Sequence, residues 1–501
     1  MIGSARGHAI RRSDMTRYDL LVIGGGINGA AIARDAALRG NSVLLVERDD
    51  LAAHTSSASS KLIHGGLRYL EYYEFRLVRE GLRERAILLR TAPHIVRPLR
   101  FVMPHGEGMR PWWMIRAGLM LYDLLASGGS LPRARGVRAD EDALRGPLKG
   151  DVRRPLAVYW DAMVDDARLV VLNALDAGEH GAVIATRTSL ASAQREGPQW
   201  RAVLSDGRTV FAGAIVNAAG PWVAETLGLL REKSTSAVRL IKGSHIVVPR
   251  LADGQHGYIL QQPDGRVVFA LPYGAFTLIG TTDVPVGAPE DAVIDAGEIA
   301  YLCAASNRYF ERQTTPADIV WAYSGVRSLY DDGAAAAQAV TRDYRLELDD
   351  DPGARLLSVF GGKITTARAL AEEALDRLGM GGSCRTAEEP LPGGDIDDFE
   401  AFLDALPGWL PRPMAERMAG AYGTRLPILL ADAAGLADLG RDFGSGLTEA
   451  ELRYLIRHEF ARTGEDILWR RTRLGLMLNA EQRRAICEWM DREIGGAGNR
   501  D

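Results

Sequence analysis

The chain has 501 residues, of which 47% are hydrophobic and 25% are charged, a composition typical of a globular protein with two or three domains. Its 60 Lys and Arg residues against 65 Asp and Glu residues give a net charge of −5, so we expect no nucleic-acid partner. Cys303, Cys384 and Cys487 lie far apart without CxxC spacing, which argues against a disulfide framework or a zinc site, and we expect no bound metal.

The first 17 residues carry four arginines but no apolar stretch, so they do not have the pattern of a secretory signal. We expect residues 1–17 to form a disordered extension in front of the first strand. No run of about 20 apolar residues follows, so we expect no helix that crosses a bilayer.

The first informative unit is an apolar strand followed by glycines. Residues 20–23 are all apolar, as expected for a parallel strand that is covered on both faces. Gly24, Gly26 and Gly29 follow in GxGxxG register. In this pattern the first glycine allows a tight turn, the second lets the main chain approach a pyrophosphate, and the third lets a helix pack against the strand.

The helix and the second strand that this pattern requires are also present. Residues 28–38 are rich in alanine and are predicted to be helical, with the N-terminal amides facing the phosphates. Residues 43–46 are apolar, and Glu47 at their end is suited to accept hydrogen bonds from a ribose. The unit predicts a dinucleotide site. Glu47 disfavours a 2′-phosphate and therefore NADP, whereas FAD and NAD both fit.

A loop rich in hydroxyl groups follows at residues 54–60. Small polar side chains near a pyrophosphate can supply hydrogen-bond donors. Lys61, His64, Arg68 and Tyr69 come directly afterwards, which favours a functional loop over a flexible serine linker.

Residues 97–126 combine arginines with large apolar side chains, including the adjacent Trp112 and Trp113. Arg116 and Asp123 make a spanning helix implausible. Two interpretations stay open on the residues alone: a helix that lies in a membrane interface, or a buried helix with two core tryptophans.

The rest of the chain contains further strands that end in glycine turns, at Gly220 and at Gly361 and Gly362, where amides could meet the same cofactor. Short strands with close turns between residues 238 and 283 predict a mainly antiparallel sheet. After the Pro- and Gly-rich residues 390–394 the composition changes, and residues 395–501 are predicted to be helical.

Several motifs occur in a characteristic order, at residues 55–71, 217–222, 240–249, 279–283, 323–327, 360–366 and 468–472. In this order they resemble the FAD-dependent, membrane-associated glycerol-3-phosphate dehydrogenases of bacteria, within the wider flavoprotein group that includes D-amino-acid oxidase. The resemblance extends from about residue 18 to the C-terminus. It implies that FAD, and not NAD, occupies the GxGxxG unit.

The resemblance also implies an activity and a location. Glycerol 3-phosphate would be oxidised to dihydroxyacetone phosphate by hydride transfer from C2 to flavin N5, and the electrons would pass to a membrane quinone. The protein would be cytoplasmic and bound peripherally to the inner membrane, which favours the interface interpretation for residues 110–125. A flavin oxidase of the same fold, acting on glycerol 3-phosphate or an amine with oxygen as acceptor, is the alternative.

The family's substrate positions fall here on Arg68, Tyr69, His245, Thr282, Arg327, Arg342 and Lys363. Arginines and a lysine suit a small phosphate dianion. A histidine suits the proton of the C2 hydroxyl, so His64, His245 and Arg327 are the candidate catalytic residues, with His64 slightly favoured as the base. Cofactor contacts are expected from Gly24, Gly26, Asn28, Gly29, Glu47, Thr55, Ser56, Ser59, Ser60, Lys61, Leu62, His64, Gly220, Gly325, Gly361, Gly362, Lys363 and Thr365.

The expected fold class is α/β, with a Rossmann-like FAD domain of the D-amino-acid-oxidase type, an inserted antiparallel-β substrate domain and an all-α C-terminal domain. The FAD domain is expected at residues 18–96, 151–230 and 319–390. The substrate and membrane-facing domain is expected at 97–150 and 231–318. The helical domain is expected at 391–501 and is a candidate for homodimer contacts.

Overall fold

The computed structural model describes residues 16–106, 110–126, 130–138, 141–152, 155–234, 236–331, 343–349 and 353–497. Of the predicted N-terminal extension only Thr16 and Arg17 are described, and they begin the first strand. The candidate substrate residue Arg342 lies outside the described residues.

The strands of the described residues are β1 (Thr16–Ile23), β2 (Val43–Val46), β3 (Leu62–Ile63), β4 (Val96–Pro104), β5 (Arg135–Gly136), β6 (Leu156–Val164), β7 (Val183–Ala185), β8 (Leu190–Glu196), β9 (Gln199–Leu204), β10 (Thr209–Asn217), β11 (Val238–Pro249), β12 (His256–Gln261), β13 (Val267–Tyr273), β14 (Phe276–Gly280), β15 (Val284–Pro285), β16 (Trp321–Tyr330), β17 (Arg345–Asp349) and β18 (Arg355–Phe360). The α-helices are α1 (Ile27–Leu38), α2 (Phe75–Thr91), α3 (Trp112–Leu125), α4 (Asp142–Arg145), α5 (Asp166–Glu179), α6 (Val223–Leu230), α7 (Ala296–Asn307), α8 (Ala367–Arg377), α9 (Phe399–Asp404), α10 (Arg412–Tyr422), α11 (Leu426–Leu430), α12 (Glu449–His458) and α13 (Ala480–Ala497). A π-helical turn, Asp466–Arg471, lies between α12 and α13.

The first sheet contains the GxGxxG unit and has the order β17-β18-β10-β1-β2-β7, with β9 and β8 continuing from β10. The strands from β18 to β7 are parallel. Helices α1, α5 and α8 cover one face through alanines and aliphatic side chains. Because β2 and the end of β1 are buried on both faces, their residues are apolar without alternation, as the sequence predicts.

The second sheet has the order β15-β11-β14-β13-β12-β4-β6-β3, with β16 beside β11 and β5 beside β6. Its pairs are antiparallel apart from β12 and β4. The predicted boundaries assign β6 and β16 to the FAD domain, but both strands pair in this second sheet. Apolar strands of this length fit either sheet by their pattern, and the partner strand decides where they pair.

The C-terminal residues 399–497 form a helical unit with its own core, which includes Met418, Leu452 and Ile486. Buried ion pairs attach this unit to the first sheet and its helices. Arg168 of α5 pairs with Glu459, and Arg471 of the π-helical turn pairs with Asp50. The helical unit therefore braces the side of the molecule that carries the GxGxxG unit.

Helix α3 carries the two tryptophans of the stretch 97–126. Its inner face, with Ile115 and Tyr122, is buried against the second sheet. On its outer face Trp113, Met120 and Leu124 are 69%, 75% and 67% exposed. Across the described part of the chain, helices fall short of the length and apolar character needed to cross a membrane.

Candidate active site

A cavity of about 960 Å³ runs from the glycine turn of the first sheet to the strands of the second. Its volume lies near the upper end of the range for small-molecule sites. We call the part lined by Gly24, Gly26, Asn28, Glu47 and Ser56 the glycine end. The opposite part is the cationic end, which is lined by Arg68, Thr281, Asp283, Arg327 and Lys363.

The three glycines of the turn serve different purposes. Gly24 has a φ of +112°, and a Cβ there would lie 2.6 Å from the carbonyl oxygen of Ala218. A Cβ on Gly29 would collide with the carbonyl oxygen of Gly24. At Gly26 a Cβ would meet Ser56 Oγ at 3.1 Å and otherwise open space, and Gly26 lines the cavity. The first and third glycines thus permit the packing of the turn, whereas the second leaves room for a ligand.

Glu47 fixes the glycine turn from the end of β2. Its carboxylate accepts hydrogen bonds from the amides of Gly25 at 2.6 Å and Asp49 at 2.8 Å. Burial raises the pKa of Glu47, and these two amide contacts limit the rise. The buried carboxylate thereby holds the turn that faces the cavity.

The N-terminus of α1 points into the glycine end and is held from two sides. Ser56 Oγ accepts the amide hydrogen of Ile27 at 3.0 Å. Asn28 Nδ2 donates to the carbonyl of Gly361 at 3.2 Å, while Asn28 Oδ1 is buried without a hydrogen-bond partner among the described residues. An open helix N-terminus and an unused acceptor are features of a site for an anionic ligand that also carries donors.

The loop rich in hydroxyl groups is tied down by its own side chains. Thr55 Oγ1 donates to the carbonyl of Val326 at 2.7 Å, and Ser59 Oγ donates to Asp166 at 2.7 Å. Lys61 is buried, and its Nζ donates to both carboxylate oxygens of Asp166 at 2.8 Å. Lys61 was predicted as a cofactor contact, but it does not line the cavity. Its side chain neutralises Asp166 and thereby stabilises the loop from outside the cavity.

Three basic side chains line the cationic end. Lys363 Nζ lies 4.3 Å from the centre of the Tyr69 ring, a cation–π contact. Arg68 lines the cavity, and its Nε has no hydrogen-bond partner within the part of the chain that the structure describes. Arg327 forms an ion pair with Asp283 and donates to Thr281 Oγ1 at 3.2 Å. The three basic side chains favour a phosphate or carboxylate ligand at this end.

Thr282 was predicted as a substrate contact, but its hydroxyl faces away from the cavity. It donates to Glu298 at 2.6 Å and accepts the amide hydrogen of Ser244 at 2.9 Å. The preceding residue, Thr281, lines the cavity instead. Neighbouring residues of an extended chain point to opposite sides, so a shift of one position exchanges the two threonines.

His245 lies behind the cavity wall and not in it. Its Nε2 lies 2.9 Å from Ser60 Oγ, and its ring stacks on Tyr323 with 4.8 Å between ring centres. Burial holds the pKa of His245 well below its usual range, and the positive charges of Arg327 and Lys61 add to this effect. His245 is therefore neutral and can reach the cavity only through the Ser60 hydroxyl.

His64, in contrast, lines the cavity directly, next to the cationic end. Its amide donates to Thr365 Oγ1 at 3.4 Å. The predicted site residues that line the cavity are Gly24, Gly26, Asn28, Glu47, Thr55, Ser56, Ser59, Ser60, Leu62, His64, Arg68, Tyr69, Gly220, Gly325, Arg327, Gly361, Gly362, Lys363 and Thr365. Those that do not line it are Gly29, Lys61, His245 and Thr282.

Sequence reasoning missed two groups of cavity residues. Asp283 belongs to a motif that was noted, but a carboxylate gave no signal for a role beside an anion site. An apolar wall between the two ends includes Phe101, Tyr159 and Phe269, which come from β4, β6 and β13. No local pattern marks these residues, because only the pairing of the second sheet brings them together.

The chain matches two known protein families. Residues 19–377 match the FAD dependent oxidoreductase family. Residues 384–497 match the C-terminal domain of alpha-glycerophosphate oxidase. The second match begins close to the predicted boundary at residues 390–394.

Similar proteins of known name agree with these matches. A glycerol-3-phosphate dehydrogenase of Pseudomonas aeruginosa is 52% identical over 492 residues, 95% of this chain and 95% of that protein. A D-erythritol 1-phosphate dehydrogenase of Brucella abortus is 49% identical over 491 residues, 94% of this chain and 97% of that protein. The crystal structure of a glycerol-3-phosphate dehydrogenase from Bacillus halodurans complexed with FAD is 26% identical, with a TM-score of 0.76, and the match covers 96% of this chain and 92% of that one.

The matches confirm three predictions made from the sequence. The α/β fold with a helical C-terminal domain is confirmed, as is the assignment to the oxidoreductases. FAD is confirmed as the cofactor. The open face of Gly26, the N-terminus of α1 and the unused acceptor of Asn28 fit such a dinucleotide.

Proposed function

The chain belongs to the FAD-dependent oxidoreductase family that includes the glycerol-3-phosphate dehydrogenases, and on this premise we propose that it oxidises sn-glycerol 3-phosphate to dihydroxyacetone phosphate. The observation that carries the proposal is the position of Arg68, Arg327 and Lys363, which line the same cavity as the glycine turn. A phosphate dianion is the group that such a set of cations binds best.

The basic residues at the cationic end differ in whether a carboxylate of the protein already neutralises them. Neither Arg68 nor Lys363 forms an ion pair with a carboxylate among the described residues. Arg327 is paired with Asp283, so a phosphate has to share or replace that contact. Bidentate contacts from the two arginines and a point charge from Lys363 would together fix the phosphate and thereby orient the rest of the polyol.

Gly26, Asn28 and the N-terminus of α1 would hold FAD at the glycine end, and the bound flavin would supply the acceptor for the hydride at C2 of the substrate. The chain positions C2 by holding the phosphate at the cationic end. The apolar wall, with Phe101 and Phe269, keeps water away from the reacting carbon.

The proton of the C2 hydroxyl needs an acceptor, and we propose His64 for this role. His64 lines the cavity, whereas His245 reaches it only through Ser60. His64→Ala and His245→Ala are compared by the rate of flavin reduction under anaerobic conditions. We expect a fall of about tenfold or more for His64→Ala, in the range of general base catalysis, and a smaller fall for His245→Ala. If neither rate falls tenfold, neither residue is the base.

The activity is tested with an anaerobic visible spectrum of the purified protein, before and after addition of glycerol 3-phosphate. Bleaching of the flavin bands supports the proposal. D-Erythritol 1-phosphate is the second candidate substrate, because the relative of that name is 49% identical over almost the whole chain. If it bleaches the flavin at lower concentration than glycerol 3-phosphate does, the longer polyol is the preferred substrate. A spectrum that neither compound changes would contradict both candidates.

We further propose that α3 docks on a membrane surface. Its outward residues Trp113, Met120 and Leu124 form an exposed apolar stripe at helical spacing, and Arg116 is exposed beside it. A helix with large apolar side chains and a flanking basic residue is suited to the interface of an anionic bilayer. This arrangement supports the interface interpretation, since the buried face of α3 already packs through Ile115.

Docking is tested by sedimentation with vesicles that contain anionic lipid. Replacement of Trp113, Met120 and Leu124 by serine should abolish binding to the vesicles. Replacement of Val293 and Ile428, which are 70% and 51% exposed, by serine is the control and should leave binding unchanged. Equal binding by both variants would show that α3 does not dock.

A membrane quinone is the proposed electron acceptor, because docking of α3 would bring the cavity close to the bilayer. A soluble quinone analogue should reoxidise the reduced flavin much faster than oxygen does. Reoxidation by oxygen at the same rate or faster, with release of peroxide, would favour the oxidase alternative.

A further inference from the structure

Three buried polar side chains outside the proposed chemistry meet at one point of the cavity wall. Arg85 of α2 donates to Asp161 of β6 at 2.5 Å, and Tyr122 of α3 donates to the same carboxylate at 2.8 Å. The Tyr122 oxygen accepts the amide hydrogen of Gly65 at 2.9 Å. The order of contacts is therefore Arg85, Asp161, Tyr122 and then the main chain of Gly65.

Gly65 belongs to a short segment, residues 62–66, that we call the cavity loop. Leu62, His64 and Gly66 of this loop line the cavity. On one side the amide of His64 is held by Thr365. On the other side the hydroxyl of Tyr122 accepts the next amide hydrogen, so the loop is held between α3 and the turn that follows β18.

Glycines are needed for this arrangement. A Cβ on Gly65 would lie 2.6 Å from Leu82 Cγ and 2.9 Å from the Tyr122 hydroxyl. A Cβ on Gly81 of α2 would lie 3.1 Å from the Cα of Gly65. Both glycines therefore allow α2 and the Tyr122 hydroxyl to come close to the cavity loop.

The free-energy cost of burying Arg85, Asp161 and Tyr122 indicates that they do more than fill space in the core. Removing an ion pair such as Arg85 and Asp161 from water is unfavourable, and an apolar replacement is often as stable. Burial raises the pKa of Tyr122 well above its usual range, so its hydroxyl keeps the proton that it donates to Asp161. Burial also raises the pKa of Asp161, to about 6, and Arg85 limits that rise. At neutral pH the carboxylate is thus charged and fixes the hydroxyl in one direction.

We propose that Tyr122, oriented by the buried Arg85–Asp161 pair, is a positioning residue that sets the location of the cavity loop and hence of His64 beside the flavin. The kinetic part of this inference rests on the proposed function. The structural part rests only on FAD as cofactor. The two can therefore fail separately.

The test is Tyr122→Phe, which keeps the ring against Tyr159 and removes the hydroxyl. The matched control is Tyr258→Phe. Tyr258, on β12, is also a buried tyrosine and would lose two hydrogen bonds, but it does not line the cavity. Both variants are measured for thermal midpoint, for the visible circular dichroism of bound FAD, and for kcat and KM. The dichroism is read without substrate.

We expect both variants to lose thermal stability, but only Tyr122→Phe to change the flavin dichroism. Its kcat should fall about tenfold or more, as for a misplaced catalytic group, while KM changes less than about threefold. A Tyr122→Phe protein with wild-type dichroism and kcat would overturn the proposal, because Tyr122 would then be structural only. If changed dichroism occurs in a protein that glycerol 3-phosphate does not reduce, the positioning role stands and the proposed substrate fails.

A second variant, Gly65→Ala, tests the contact between Tyr122 and Gly65 by a change in the cavity loop. In Gly65→Ala the added Cβ displaces the Tyr122 hydroxyl, so the flavin dichroism should change as it does in Tyr122→Phe. Wild-type dichroism in Gly65→Ala would overturn the proposal.

Discussion

The two ends of the cavity are built in different ways. The glycine end uses main-chain groups of one continuous segment, in which Glu47 and Ser56 hold the turn around Gly26. The cationic end uses side chains from separate parts of the chain, with Arg327 supplied by β16 and Lys363 by the loop after β18. The first end is fixed by the path of the backbone, whereas the second depends on charges that pair with one another.

This difference predicts how each end responds to change. A buried main-chain turn has no alternative partners for its hydrogen bonds. A substitution at the glycine end should therefore weaken the binding of the cofactor and leave the substrate contacts intact. Charged side chains can exchange partners, so a perturbation at the cationic end should alter substrate binding and leave the cofactor in place. Each prediction that follows tests this separation.

The largest effect is expected at Arg327. In Arg327→Gln the phosphate loses a bidentate partner, and Asp283 beside it loses the positive charge of Arg327. Loss of one member of such a charge pair costs about 2–5 kcal/mol, so kcat/KM for glycerol 3-phosphate should fall about 10³-fold. The bound FAD and its spectrum should stay unchanged.

The control for this change is Arg208→Gln. Arg208 is paired with Asp206 in an exposed turn of the first sheet, outside the cavity, so its loss should leave kcat/KM near the wild-type value. If Arg327→Gln also loses FAD, the two ends are not independent.

At the glycine end the corresponding change is Glu47→Gln. Both carboxylate oxygens of Glu47 accept amide hydrogens, and a glutamine can satisfy only one of the two amides, of Gly25 and Asp49. A buried unsatisfied amide costs about 1–3 kcal/mol, so the Kd for FAD should rise about 10- to 100-fold, measured by titration of the apoprotein. KM for the substrate should not change once FAD is saturating. Asp19→Asn, at an exposed carboxylate that accepts the amide hydrogen of Ser42 outside the cavity, should leave the FAD affinity unchanged.

The same contrast explains what the sequence could predict. The glycine end has a local signal, because Gly24, Gly26 and Gly29 stand at fixed spacing between an apolar strand and a helix. This signal and the later motifs together predict FAD as the cofactor, and the matches confirm that prediction. The roles of single residues at that end follow from the backbone path and not from their side chains alone.

The cationic end could be predicted only in part. Motifs identified Arg68, Arg327 and Lys363, but they could not show which of two adjacent threonines faces the cavity or that His245 lies behind Ser60. Those features depend on strand register between segments distant in sequence, and a shift of one residue reverses them. For the same reason the sequence did not show that β6 and β16 pair in the second sheet.

Low pH affects the stability of the whole protein through groups that lie outside both ends of the cavity. His94 is buried with both ring nitrogens unpaired among the described residues, and burial lowers its pKa to about 3, with Arg168 and Arg97 adding to the effect. The unfolded chain takes up this proton near pH 6.5 and the folded chain does not, so folding stability is full above pH 6.5 and falls by about 1.4 kcal/mol per pH unit below it.

We therefore expect His94→Leu to be less sensitive to acid than the wild type. The thermal midpoint of the FAD-loaded protein should fall less between pH 7 and pH 5.5. His180→Leu, at a side chain that is 43% exposed, is the control and should behave as the wild type does. An unchanged acid response in His94→Leu would place the sensitive groups elsewhere, with the cavity as the next region to test.

The smallest effect is expected at Asp283, and it tests the comparison most closely. The carboxylate neutralises Arg327 in the described conformation, so an incoming phosphate has to compete with it. Asp283→Asn keeps an oxygen that can accept from Arg327 but removes the charge, and inorganic phosphate, measured as a competitive inhibitor, should bind about 3- to 10-fold tighter, a gain of about 0.7–1.4 kcal/mol. Asp206→Asn, at the exposed turn between β9 and β10, should not change phosphate binding. If phosphate binds more weakly to Asp283→Asn, the carboxylate holds Arg327 in the binding position, and the cationic end would then be as firmly organised before binding as the glycine end.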